Sequence, residues 1–246
     1  MSVAGLPIPF PAGPAAEDIP PPAISALRPS EYTASLLQVL RKRADWVRGA
    51  NALEIGFGSG VVLAAIGDLG AASLCGVDIE NAAVASGALL LHQLGYGNTA
   101  ELHRGDMWRP VGRRRFDLIT ANLPHFPMEP FEVAGRLPSW SSGGANGRRL
   151  LDRFLGGLVY HLAPSGRAII THNAFVDIER SRAMLALDGL SLQIAMSVLV
   201  HVSSEKLDLM TQSILNAEDG RSIYRYGPYA FAQMHIVEIG ARGALG

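Results

Sequence analysis

The stretch LEIGFGSGVV, Leu53 to Val62, carries glycine at every second position: Gly56, Gly58 and Gly60. Glycine lets the main chain turn tightly and lets a ligand lie directly against the backbone. An acid, Asp78, closes the apolar run SLCGVD that follows. One carboxylate can accept hydrogen bonds from both hydroxyls of a ribose, so the loop and the acid together suit a nucleotide-bearing ligand. A second acid, Asp106, stands in HRGDMW. Two acids at successive strand ends beside a glycine loop favour a ligand over the plainer reading, in which acids merely terminate strands. The third stretch is TANLPHFP, Thr120 to Pro127, which places an amide, a proline and an imidazole after the apolar run FDLI. An imidazole titrates near neutral pH, so His125 could stack on a planar group, orient a polar one or remove a proton. The alternative is a half-buried ring that closes an ordinary proline turn.

These residues work together only if a scaffold gathers strand ends along one edge, and the periodicity of the chain predicts such a scaffold. ANALEIG, SLCGVD, AELHRGD, FDLITAN and GRAIITHN read as short apolar strands. GVVLAAIGDLG, NAAVASGALLLHQLG and NGRRLLDRFLGGLVYHL read as the helices between them, the last ended by Pro164-Ser165-Gly166. A helix around VDIERSRAMLAL precedes two further strands, LQIAMSVLVHV and FAQMHIVEIG. Short strands alternating with helices indicate a mostly parallel sheet covered on both faces. The predicted fold is therefore α/β, a Rossmann-like, doubly wound, seven-stranded sheet whose final strand is antiparallel. Ahead of it lies a helix with Ser30 as N-cap and an apolar stripe through Leu36, Leu37, Leu40, Ala44 and Val47. Residues 1–28 are proline-rich and can be neither helix nor central strand; they read as an extended arm lying on the body, with a disordered leader as the alternative. Residues 29–246 form the main domain, with 203–230 as an inserted loop placed to act as a lid.

With 246 residues and 48% hydrophobic composition the chain can bury a large core, and its net charge of -1 argues against a protein devoted to gripping phosphate backbones. The single cysteine, Cys75, permits no internal disulfide and reads as a buried strand residue. With no signal sequence and no apolar run fit to cross a bilayer, a cytoplasmic setting is expected. The seven histidines are scattered and form no recognised zinc pair, so no metal is expected.

The loop has Val61 where a dinucleotide-binding loop carries its last glycine, and Glu54 stands two residues before the first. That Gly-x-Gly-x-Gly arrangement resembles the first motif of class I S-adenosylmethionine-dependent methyltransferases. The resemblance implies that the loop holds the methionine portion and that Asp78, with Ile79 beside it, holds the ribose. Asp106 and the backbone amide of Met107 would read the adenine edge. The implied cofactor set is Glu54, Gly56, Gly58, Gly60, Asp78, Ile79, Asp106, Met107 and Asn122.

NLPH resembles the Asn/Asp-Pro-Pro-Tyr motif of the amino-methylating members. There the side-chain oxygen and the following carbonyl accept hydrogen bonds from a target NH2, and the aromatic ring stacks on the planar acceptor. Asn122 and Pro124 match, whereas Leu123 and His125 depart. SGGANGRRLLDRFL resembles the Gly-Gly-x-Asp-Gly segment of the release-factor glutamine methyltransferase branch, with Asn146 in place of the acid. LRPSEYTASLLQVL resembles the helix that precedes its first motif, so the resemblance covers roughly residues 28 to 173. It implies Asn122 and His125 as catalytic residues. The acceptor would meet Asn122, Leu123, Pro124, His125 and Phe126, and also His172, which ends the fifth strand at the ligand-binding edge.

The expected activity is methyl transfer, directed to nitrogen, with a small molecule such as a specialised metabolite as first choice of acceptor. The near-neutral charge and the enclosing loop favour that choice over nucleic acid or a membrane. The alternatives are a protein glutamine amide, an exocyclic base amine, or a cofactor-binding partner protein that does not catalyse. A homodimer is one assembly the chain allows.

Overall fold

The computed structural model describes residues 29–128 and 141–243. The proline-rich arm assigned to residues 1–28 lies outside the described residues. The chain enters with α1, Glu31–Lys42, whose acidic first turn and basic last turn match the helix dipole. The Ser30 N–H donates to Thr33 Oγ1 at 3.3 Å at its start. The stripe expected to run unbroken to Val47 is interrupted at Arg43, which leaves helical geometry (φ -107°, ψ 34°) before a short α2, Ala44–Val47. The Arg43 guanidinium turns to Glu238 at 2.7 Å and lies 4.6 Å from the Trp46 ring centre, tying this break to the sheet.

Strands and helices then alternate: β1 (Asn51–Ile55), α3 (Val61–Asp68), β2 (Ser73–Asp78), α4 (Asn81–Gln93), β3 (Ala100–Arg104) and β4 (Phe116–Ala121). They continue with α5 (Arg149–His161), β5 (Leu162–Asn173), α6 (Ile178–Leu187) and β6 (Leu190–Val202). The segment 203–230, expected as a loop, holds α7 (Ser204–Leu209), α8 (Gln212–Glu218) and β7 (Ile223–Tyr226) before β8 (Tyr229–Ala241). The sheet therefore has eight strands, not seven, in the order β3-β2-β1-β4-β5-β8-β6, with β7 paired to the start of β8. β7 escaped sequence reading because only four residues form it and its apolar alternation is lost in SIYRYGPY. β1 to β5 pair in parallel, and β8 runs antiparallel between β5 and β6.

This order has a consequence for ligands. From β1 the chain winds outward to β2 and β3, then returns to the other side of β1 for β4 and β5. The loops leaving β1 and β4 therefore diverge and open a crevice at the carboxyl edge. The strands beneath are apolar because both faces are covered. Leu53 and Ile119 pack into one cluster with α5, while Ala52 and Leu118 pack into another with α1 and α3. Leu118 and Ile119 are fully buried on opposite faces, so truncating either to alanine would cost about 2–5 kcal/mol. Cys75 is likewise buried in β2, and burial pushes its thiol up to about 11.

Candidate active site

β1 stops where three glycines adopt left-handed backbone: φ is 72° at Gly56, 54° at Gly58 and 80° at Gly60. Side-chain-bearing residues adopt this region at a cost of about 1–2 kcal/mol, which explains the residue type. At Gly60 there is a second reason, since a Cβ there would lie 3.1 Å from the Cα of Gly87 in α4. The loop is tied to the end of β2: the Gly58 N–H donates to Asp78 Oδ2 at 2.9 Å, and the Glu80 N–H donates to Oδ1 at 2.9 Å. Asp78 is mostly buried, and burial raises its carboxyl above the usual value while these backbone donors pull it back.

Glu54 lies behind the loop. It is 2% exposed, and burial followed by the charge of Asp78 raises its carboxyl well above the usual range, against a backbone donor from Leu63. Its Oε2 has no partner among the described residues. Gly60 and Glu54 thus shape the loop from outside the cavity; Gly56 and Gly58 line it.

The cavity at this crevice has a volume of about 410 Å³. That is within the roughly 300–1,000 Å³ usual for small-molecule and cofactor sites. Asp78 and Ile79 flank it on one side, and Asp106 with Met107 on another. Met107 holds a left-handed φ of 52°, a strained geometry of the kind kept at ligand sites. Asp106 is not free: Arg153 of α5 reaches its carboxylate at 2.6 Å. Arg149, Leu150 and Arg153 line the cavity as well, together with Asn122, Leu123 and Pro124.

The acceptor stretch departs from expectation. Asn122 Oδ1 accepts from the Thr171 hydroxyl of β5 at 2.9 Å. His125 is 3% exposed, and both ring nitrogens are engaged. Its Nδ1 donates to the Leu123 carbonyl, and Nε2 accepts from the Asn173 N–H at 3.0 Å. Burial lowers its pKa to about 4. A neutral ring with its only lone pair occupied is not a base, and it does not line the cavity, so the expectation of a catalytic His125 is corrected.

The same holds for two acceptor-binding expectations. His172 is fully buried, with Nε2 2.9 Å from Ser181 Oγ and Nδ1 2.9 Å from the Asn173 carbonyl oxygen, and burial lowers its pKa to about 3. Phe126 packs against Phe175 at 5.3 Å and under the Lys206 ammonium at 4.1 Å. Each points into the protein body. The inserted segment braces this region from outside, since the Thr211 N–H donates to the Pro127 carbonyl and its hydroxyl to the Ala145 carbonyl, both at 2.7 Å.

The sequence did not foretell Arg149, Leu150 and Arg153 on α5, Thr171 behind Asn122, or lining residues such as Ile55, Val77 and Ala83. The one available signal was the four-residue spacing of Arg149 and Arg153, which puts both on one helix face.

Residues 31–127 match the family described as ribosomal protein L11 methyltransferase (PrmA). A ribosomal protein uL3 glutamine methyltransferase of Bradyrhizobium diazoefficiens is 32% identical over 103 residues, covering 40% of this chain and 32% of the relative. A release factor glutamine methyltransferase of Gloeobacter violaceus is 26% identical over 154 residues, covering 59% and 52% respectively. The chain thus spans about half or less of the length of these curated relatives. The solved Mtq2–Trm112 complex of E. cuniculi, described as responsible for methylation of the eRF1 translation termination factor, superposes with a TM-score of 0.58 at 15% identity. It covers 88% of this chain and 99% of that one.

The fold is that of a class I methyltransferase. Its sequence is related to the branch that holds the release-factor glutamine enzymes. S-adenosylmethionine is the cofactor this relationship indicates, and the donor set fits it. Asp78 suits a ribose diol, Asp106 with the Met107 backbone suits an adenine edge, and the glycine loop leaves its backbone open to the methionine portion. Among the described residues, no helix is long and apolar enough to cross a membrane.

Proposed function

We propose that this chain methylates the side-chain amide nitrogen of glutamine in a protein or peptide, using S-adenosylmethionine. The observation that carries the reading is the pair of carbonyl oxygens, Asn122 Oδ1 and Leu123 O, each on a residue that lines the cavity and each held in place by a protein donor. A carbonyl oxygen has two lone pairs, so each keeps one for an incoming N–H. An NH2 group offers two donors, and satisfying both fixes the direction of its nitrogen.

Bound in the cavity, S-adenosylmethionine supplies a methyl group already activated on positive sulfur. The protein's part is alignment: Thr171 sets the Asn122 amide, and His125 sets the Leu123 carbonyl. A neutral amide nitrogen can attack before it loses a proton. The methylated amide then sheds one proton to solvent, with the neutral sulfide S-adenosylhomocysteine as the other product, so the step makes no demand on a locked, neutral imidazole. A protein glutamine is better supported than the small-molecule acceptor expected from charge and loop length, because the Bradyrhizobium and Gloeobacter relatives are named for protein glutamine substrates.

The test is labelled methyl transfer from S-adenosylmethionine to glutamine-containing peptides. Asn122→Ala should lower turnover about a hundredfold, a loss typical of misplaced reactants, while calorimetric cofactor affinity stays within about twofold. Full turnover in that variant would remove Asn122 from the mechanism.

A further inference from the structure

Three arginines at the start of α5, Arg148 at its N-cap and Arg149 and Arg153 within it, have sharply different surroundings. Arg148 is 3% exposed and saturated: it reaches Asp152 at 2.7 Å, the Asp177 carbonyl at 2.7 Å and Ser181 Oγ at 3.0 Å, and it also bonds the Val176 carbonyl. It is a strut between α5 and α6. Arg153 is neutralised by Asp106 at 2.6 Å. Arg149 is exposed, lines the cavity and has no carboxylate partner among the described residues. Among the described residues its guanidinium makes one long hydrogen bond, 3.4 Å to the Ser142 carbonyl.

Helix energetics do not account for Arg149. It is the first residue of α5, where the helix dipole favours negative charge and disfavours a cation. Nor does packing account for it. A residue that breaks a local rule without structural return is expected at a functional site. Its place in the cavity is informative too. Arg153, one turn further along α5, marks the Asp106 end. Ser142, which Arg149 touches, is bridged to Phe126, two residues past Pro124 in the same loop. Arg149 therefore stands at the acceptor end, with five donors in a planar fork that matches a carboxylate.

We propose that Arg149 captures a carboxylate of the acceptor beside the target amide, so that the site selects glutamine with an acidic neighbour. The inference rests on the amide-directed reading of the site. S-adenosylmethionine carries a carboxylate of its own, which the same guanidinium could hold, and the experiment separates the two sources.

The whole chain and its Arg149→Gln and Arg149→Glu variants are compared on blocked peptides in which glutamine is followed by glutamate, glutamine or lysine. The acid-flanked peptide should show a kcat/KM about tenfold to a hundredfold above the neutral one in the unmodified protein, through KM. Arg149→Gln should erase that difference, and Arg149→Glu should turn the preference to the lysine-flanked peptide, with cofactor affinity by calorimetry unchanged in both. A preference that is absent from the unmodified protein, or that survives Arg149→Gln, overturns the proposal. A tenfold loss of cofactor affinity in Arg149→Gln also overturns it and assigns the guanidinium to the cofactor's carboxylate. If no peptide is methylated, the amide-directed reading fails separately. Arg149 is then judged by titrating the S-adenosylhomocysteine-saturated protein with the acidic and neutral peptides. Tighter binding of the acidic one that Arg149→Gln removes supports the proposal, and equal binding overturns it.

Discussion

The two ends of the cavity are built in different ways. At the cofactor end, backbone geometry does most of the positioning: left-handed glycines follow β1, and a β2 acid fastens the loop by accepting its N–H. These parts lie close together in sequence and depend on residue types that few other roles require. At the acceptor end the loop after β4 is held by side chains from elsewhere. Thr171 of β5 holds Asn122, and His125 links the Leu123 carbonyl to Asn173, whose Oδ1 accepts from the Tyr32 hydroxyl of α1 at 2.8 Å. A loop set by its own backbone tolerates changes around it, whereas a loop set by a relay across β5 and α1 depends on every member. The difference predicts that substitutions at the cofactor end act on affinity and those at the acceptor end act on turnover.

The largest effect should come from Asp78→Ala. It removes both the partner of the Gly58 N–H and the acceptor for a ribose diol. Hydrogen bonds to a charged group contribute about 1.5–3 kcal/mol each, so calorimetry should show cofactor affinity weakened by about a hundredfold or more. Unchanged affinity would break the comparison at its firmer end. Thr171→Val should produce a smaller and opposite pattern. It keeps the volume in β5 but takes the donor from Asn122 Oδ1, and Thr171 is 3% exposed, so water does not readily replace the hydroxyl. Turnover should fall by about tenfold, equivalent to one hydrogen bond, with cofactor affinity unchanged. If affinity fell instead, the two ends would not be separable.

The same contrast explains what was legible in the sequence. The alternation of apolar strands and helices foretold the sheet, because buried parallel strands must be apolar throughout and helices must show a stripe. Gly56, Gly58, Asp78 and Asp106 stood out because φ above zero and the recognition of ribose hydroxyls or a base edge restrict residue choice. Arg149 and Arg153 did not, since an arginine pair on a helix ordinarily marks a solvated face, and only the crossover returning α5 over β4 puts them at a cavity. His125 and His172 misled for the opposite reason. One follows β4 and the other lies in the last residues of β5, both at the correct edge, but sequence position does not reveal which way a ring turns, and both turn inward to backbone and hydroxyl partners. Phe126 turned inward as well, onto Phe175.

The smallest expected change in turnover concerns that inward histidine and concerns pH. Burial lowers His125 from the ordinary 6.5 to about 4, and His172 to about 3. Folding therefore favours the neutral ring. Above about 6.5 neither state binds the proton and stability is complete. As pH falls, the unfolded chain takes up protons that the folded rings refuse, so stability declines from about 6.5 down to about 4 for His125, and on to about 3 for His172. Each contributes a slope of up to about 1.4 kcal/mol per pH unit, which denaturant midpoints measured from pH 7 to 4 should register. Turnover should behave differently. Between pH 6 and 8 His125 stays neutral and hydrogen-bonded, so kcat should show no inflexion from it, even as the protein becomes easier to unfold at the acidic end. An inflexion near 6.5 that disappears in His125→Gln would mean that the ring leaves its partners during the reaction. The acceptor end would then be a moving device instead of a fixed one.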